Sequence, residues 1–172
     1  IPEVRYHSYG HKDFLSWDRQ SIAHNTVTVD EISQYPQDVP DPWVVERNGK
    51  HARGRPLFFR AGEGFKAFGA ECDAAYEGVL LSRAIALVDS TVVDFYRCRS
   101  AKEHTYDFAL HIDGTLAHSS IPLSDAADEP VSKSLGYQHL LAPRRGEAHG
   151  EDQMQFETPG GMMQIDLLSK EA

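Results

Sequence analysis

The sequence predicts an all-β fold, an antiparallel β-sandwich of many short strands. Three observations lead there: apolar and polar residues alternate over short stretches, turn-forming residues recur between those stretches, and helical periodicity is nearly absent. At 172 residues and 19.2 kDa, residues 1–172 are expected to form one domain large enough to bury a core. A content of 41% hydrophobic and 25% charged residues is that of an ordinary globular protein.

The clearest strand expected is His24 to Asp30, with Asn25, Val27 and Val29 on one side and His24, Thr26, Thr28 and Asp30 on the other. Leu57 to Arg60 and Phe65 to Cys72 read as two further strands around Gly62 and Gly64. The β-branched stretch Val79 to Arg97, broken at Asp89-Ser90, reads as a hairpin. His104 to Ile112 alternates again, with Tyr106, Phe108, Leu110 and Ile112 sharing a side ahead of an Asp113-Gly114 turn. Met154 to Glu157 and Met162 to Leu168 form a last pair around Pro159-Gly160-Gly161. Tyr35 to Arg55, Ser119 to Ser134 and Pro143 to Asp152 are expected as loops, because strand signals resume after each.

A formal net charge of -9 and a pI near 5.4 argue against nucleic acid as a ligand, since an acidic surface repels phosphate. No apolar run approaches the roughly 20 residues that a membrane-spanning helix needs, so no membrane partner is expected. The first residues show neither a basic start nor an apolar stretch, so no signal peptide is expected. The absent initial Met fits a fragment or processed product, which leaves localisation open. Two cysteines, Cys72 and Cys98, are too few for a disulfide framework or a cysteine zinc site and are expected as buried free thiols.

Nine histidines in an acidic chain raise metal binding, with His7, His11 and His24 near Glu3 and Asp13. Zinc accepts His nitrogen and carboxylate oxygen, yet no H-E-x-x-H or comparable spacing fixes ligands on one element. Loop histidines held by hydrogen bonds are the competing reading. A small metalloenzyme would need His7, His11 and His24 to converge on one ion at about 2.0–2.1 Å with a coordination position left open. Ser-His-Asp chemistry finds no G-x-S-x-G, and Gly62-Glu63-Gly64 reads as a turn. Tyr6, Tyr9, Phe14, Trp17, Tyr35 and Trp43 crowd the amino-terminal end, where they either stack on sugar rings or pack in a core. Arg83, Arg97 and Arg99 read as structural, on exposed strand faces or paired with Asp94 and Glu103, with substrate binding as the alternative.

The segment Trp17 to Glu31, with its core His24-Asn25-Thr26-Val27-Thr28-Val29-Asp30, resembles the H-N-T-V-x-V-D signature of heparinase II/III-like C-terminal domains. The order downstream is similar: Ala75-Tyr76-Glu77-Gly78-Val79 into Ser82-Arg83-Ala84-Ile85, then Val92-Val93-Asp94-Phe95-Tyr96-Arg97, then His104 to His111 with Gly114-Thr115-Leu116. The resemblance runs from about residue 1 to the end of the chain. It implies a β-sandwich from a polysaccharide lyase, a partner for an N-terminal α/α toroid that this sequence lacks. Such lyases cleave uronic acid polymers, of heparin, heparan sulfate or alginate type, by β-elimination. The uronate carboxylate is neutralised, a base removes the C5 proton, and an acid, commonly Tyr, protonates the departing O4.

Most catalytic residues of the family lie in the toroid, so the resemblance implies that this chain alone is inactive. It also implies a structural zinc with His24 as a ligand and Glu3 in the place of a family Asp. Gly10-His11-Lys12-Asp13 imitates an upstream G-H-x-D segment; it is a loop coincidence or, if a displaced motif, makes His11 a catalytic or metal candidate. Arg144 and Arg145 are candidates to meet an anionic polysaccharide or oligosaccharide, with a solvated pair as the plainer reading. The alternative function is a non-catalytic carbohydrate-binding or interaction module sharing the fold. A sandwich without its toroid is expected to expose apolar surface and to favour a homo-oligomer.

Overall fold

A computed structural model describes residues 7, 10–34, 54–126, 129–141 and 143–169. The strands are β1 (Val27–Val29), β2 (Arg55–Gly62), β3 (Phe65–Tyr76), β4 (Val79–Val88), β5 (Thr91–Ser100) and β6 (Tyr106–Phe108). They continue with β7 (Thr115–Ser119), β8 (Ser124–Asp125), β9 (Arg144–Arg145), β10 (Glu151–Thr158) and β11 (Gly161–Leu168). Helix among the described residues amounts to single turns at Phe14–Asp18, Ser21–Ala23 and Tyr137–His139. The all-β, antiparallel class read from the sequence is what the structure has. No helix of the described residues is long and apolar enough to cross a membrane.

The chain forms two compact units. One combines Ile1–Val27 with Phe108–Ala172, and the other is Thr28–Asp107. The crossings fall in β1 and β6, which pair in a two-stranded sheet.

The second unit is built on the antiparallel sheet β2-β3-β4-β5, joined by consecutive tight turns. The expected hairpin is present, with Val88 opposite Thr91 and the turn at Asp89-Ser90. Register sorts the side chains, because partners across a ladder share a face. Phe58, Gly69, Ala84 and Phe95 are in line on one face; Phe59, Phe68, Ile85 and Asp94 are in line on the other. At Gly69 a Cβ would lie 2.4 Å from the Phe58 ring, so the glycine makes room for the aromatic across the strand pair. Val79 and Leu81 close a small core with Val29, flanked by Tyr76, Tyr96 and Cys98. Cys72 and Cys98 are both free thiols, as expected, but half-buried instead of buried. Both are in register with Leu81 on the strand between them, so two strand spacings, about 9–10 Å, separate them, beyond disulfide reach. Arg83 forks onto Asp94 at 2.6 and 2.9 Å and lies over the Tyr96 ring, the structural pairing expected for it.

The first unit holds the sheet β11-β10-β7 and the short pair β8-β9. Its core joins Ile22, Ala109 and Tyr137, with Trp17 and Leu140 packed against them. Gly136 sits at φ +96°, where a Cβ would meet Ile22 Cγ2 at 2.6 Å and Gln20 Cβ at 2.9 Å. No other residue fits there.

Several elements differ from expectation. The His24 to Asp30 strand is confined to Val27–Val29, because the helical turn Ser21–Ala23 runs into it and Thr26 N–H turns back to the His24 carbonyl at 2.8 Å. Its three residues are all buried, Thr28 included, so one wet face and one dry face do not exist. The His104 to Ile112 strand is confined to Tyr106–Phe108. Beyond it, the Ala109 N–H still reaches the Thr26 carbonyl, but the His111 N–H goes to the Asn25 side chain, which ends the ladder. The β2 and β3 strands run longer than expected, as do β10 and β11. Short strands β8 and β9 occur inside stretches read as loops. Of the Tyr35 to Arg55 loop, residues 35–53 lie outside the described residues.

Candidate functional site

The signature segment of the first unit is organised around Asp18, the last residue of the turn Phe14–Asp18. Its side chain is only 2% exposed and accepts the His7 backbone N–H at 2.8 Å and the His7 Nδ1–H at 3.0 Å. Its carbonyl accepts His24 Nε2–H at 2.9 Å. One residue thus orients two histidines, one by its carboxylate and one by its backbone. Among the described residues, His7 Nε2 and His24 Nδ1 take no hydrogen-bond partner.

Next in the signature, the Asn25 Oδ1 accepts the His111 N–H at 2.6 Å, and His111 Nε2–H reaches the Ile22 carbonyl at 2.8 Å. Trp17 stands against both the His111 and His139 rings, with centroids 5.8 and 5.6 Å away. Ser16 Oγ and His139 Nε2 are 3.0 Å apart. Asn25 by its side chain and Thr26 by its backbone carbonyl, which takes the Ala109 N–H at 2.9 Å, therefore fasten an irregular segment to the strand end that follows β6, while His24 ties the segment to itself. Phe14 is buried and Trp17 packs on the core, which takes these two aromatics out of any exposed sugar-stacking groove. Tyr6, Tyr9, Tyr35 and Trp43 lie outside the described residues.

His11 Nδ1 accepts the Asp13 N–H at 3.2 Å and stands 3.6 Å from Asp13 Oδ2. The His7 and His11 rings stack at 4.3 Å, 10° from parallel. His7, His11 and Asp13 each offer a metal-ligating atom within 4.8 Å of the others. Among the described residues, His24 is not part of that group. The structure thus unites His7 and His11, as the sequence suggested, with Asp13 as the third member. Glu3, the second zinc candidate, lies outside the described residues.

A cavity of about 330 Å³ opens between the stretch after β6 and the β10–β11 turn, lined by His111, Asp113, Thr158, Pro159 and Met163 among others. Its size suits a small ligand, although its walls are chiefly apolar. A shallower depression of about 250 Å³ includes His118, Leu123 and Arg144. Arg144 and Arg145 are exposed on β9, with Asp125 and Ser124 as their partners across the pair. Neither depression is legible in the sequence, because each joins segments far apart in the chain. Asp18 was also missed as an organiser, although it lies inside the signature stretch.

Five groups of the second unit, Asp30, Tyr76, Arg83, Cys98 and Tyr106, have displaced proton affinities. The His104 side chain, with the Thr105 N–H, holds the Asp30 carboxyl below the usual carboxylate value. Burial pushes the Tyr76 phenol upward, and its neutral O–H donates to the Ile32 carbonyl at 2.8 Å. Burial likewise raises the Cys98 thiol, which makes it a poor nucleophile.

Comparison with known proteins accounts for the signature. The chain is 30% identical over 146 residues to an exo-oligoalginate lyase of Saccharophagus degradans, covering 80% of this chain and 19% of that protein. It is 30% identical over 149 residues to an alginate lyase of Stenotrophomonas maltophilia, covering 79% of this chain and 18% of that protein. The chain spans about a fifth of the length of these curated relatives. The model of the family described as heparinase II/III-like, C-terminal matches residues 5–167, a range that takes in both compact units. The chain belongs to the heparinase II/III-like C-terminal family.

Proposed function

We propose that this chain is the C-terminal β part of a polysaccharide lyase that cleaves a uronate polymer of the alginate type by β-elimination. The observation that carries the reading is the pair of alginate lyases aligned over four-fifths of the chain. In this reading the β part lends a wall to the substrate cleft. The catalytic base and acid belong to the remainder of the longer protein. In this reading Arg144 and Arg145 are the cations that meet uronate carboxylates, a role their exposure on β9 supports.

A structural zinc with His24 as one ligand belongs to the same proposal. His24 fits that role in one respect: its Nε2 is fixed on a backbone carbonyl, as ligand histidines usually are through their second nitrogen, which leaves Nδ1 for a metal. Such an ion would cross-link the signature segment to ligands elsewhere in the protein.

The test compares this chain with a protein that carries its upstream toroid, on alginate and heparin oligosaccharides, by ultraviolet absorbance of the unsaturated uronate product. The longer protein is expected to produce the absorbance on alginate, and this chain alone to produce none. Absorbance on heparin and not on alginate would move the substrate to sulfated uronates. No elimination by the longer protein on either polymer would overturn the lyase reading. A purely carbohydrate-binding role is favoured by the cavity beside His111 and would then appear as oligosaccharide binding without cleavage.

A further inference from the structure

We propose that His7, His11 and Asp13 form a binding site for a zinc-like divalent ion, distinct from the role given to His24 and independent of the lyase reading. Three features of the cluster argue for it. The first is orientation. Asp18, buried and carboxylate-bearing, holds His7 by Nδ1 at 3.0 Å, so the ring presents Nε2 outward. A carboxylate behind a histidine fixes its tautomer and raises its basicity, which is the usual support of a metal-ligating imidazole.

The second feature is the spacing. His11 Nδ1 and Asp13 Oδ2 are 3.6 Å apart, and an ion about 2.0–2.2 Å from each spans that gap at an open bond angle. Because His11 Nδ1 accepts the Asp13 N–H, it is the unprotonated nitrogen of the ring, and an ion would take over the lone pair from that bond of 3.2 Å.

The third feature is the ligand set. Two imidazoles and one carboxylate suit zinc in preference to calcium or magnesium, which prefer all-oxygen shells. Three protein ligands leave a fourth position open to water or to an anionic ligand. The His7 and His11 rings are stacked, so binding needs the His11 ring to turn about its Cβ–Cγ bond. That side chain is exposed, so the turn meets little packing resistance.

The experiment titrates the purified chain with cobalt(II), read by visible absorbance, and measures zinc by elemental analysis after dialysis. The wild-type chain is expected to show a cobalt band and to retain zinc. His11→Ala and Asp13→Ala, both at accessible positions, are each expected to weaken binding by more than about tenfold. Asp18→Asn is expected to weaken it by about 10–100-fold as a positioning effect. His24→Ala is expected to keep the cobalt band. No cobalt band in wild type, or a band unchanged in His11→Ala, overturns the proposal. So does a band lost in His24→Ala and kept in His11→Ala. None of these readings depends on polysaccharide cleavage, so the lyase reading stands or falls separately.

Discussion

The segment from Phe14 to Thr26 and the sheet β2-β3-β4-β5 are held by opposite means. The segment has little regular structure. Its shape is set by single bonds from side chain to backbone: Gln20 to the Leu15 carbonyl, His24 to the Asp18 carbonyl, Asn25 from the His111 N–H. The sheet is held by its ladders, and its side chains add little that is unique. Phe59, Val92, Val93 and Phe95 are each more than half exposed, on both faces. The contrast teaches where sequence constraint falls. In the segment one atom lost leaves a partner without a bond, whereas on the sheet one apolar group replaces another with little consequence for the ladder.

The largest effect is expected from Gly136→Ala, where backbone conformation and close packing both oppose a Cβ. A loss of about 2–4 kcal/mol is expected, read as a lowered urea midpoint with unchanged slope. Asn25→Ala comes next, at about 1–3 kcal/mol, because the His111 N–H loses its acceptor in a half-buried setting. If Asn25→Ala costs no more than a sheet-face substitution, the contrast between the two regions fails.

In the sheet, the turns are the sensitive points. Asp89 has φ +50° at the first turn position of the β4–β5 hairpin, a place that favours glycine. Asp89→Gly is therefore expected to stabilise the chain by about 1 kcal/mol in thermal unfolding. Phe95→Lys is expected to change stability by less than about 0.5 kcal/mol while reducing concentration-dependent association in sedimentation. A large loss of stability in Phe95→Lys would mean that this face is covered in solution.

The smallest effect concerns the Asp30–His104 pair. The Asp30 carboxyl titrates below its ordinary value in the folded state, so its contribution is present above the unfolded value near 3.8 and is lost as pH falls through the lower folded value. Asp30→Asn is expected to flatten that acidic limb in a pH series of unfolding midpoints. The two curves should meet at the lowest pH.

Much of the sheet was legible in the sequence, because each of its hairpins is a local event. Gly62 and Gly64 mark the turn between β2 and β3, the β-branched run marks β4 and β5, and Asp89-Ser90 marks the turn between these two. The first unit was legible only in part. Whether His104 to Ile112 remains a strand depends on Asn25, 86 residues before His111, and no local pattern carries that information. The sequence set His7, His11 and His24 near one another, but no spacing in it tied them to one element. The replacement of His24 by Asp13 in that group was not legible, since it depends on where the turn Ser21–Ala23 sends the His24 ring. His24 itself stood out through the family signature, and the structure adds a physical reason for it.

One connection has a consequence for how the protein tolerates rearrangement. Thr28–Asp107 is a guest inserted into a host that the chain leaves and re-enters, and its two ends lie side by side, with the Asp30 N–H on the Thr105 carbonyl at 2.9 Å. Because the junction is already closed, the entropy of closing it changes only with the logarithm of the guest's length. The host would therefore accept a shortened, lengthened or exchanged guest at these ends. Opening the guest at one of its tight turns would give new termini for a circularly permuted chain without disturbing the signature segment.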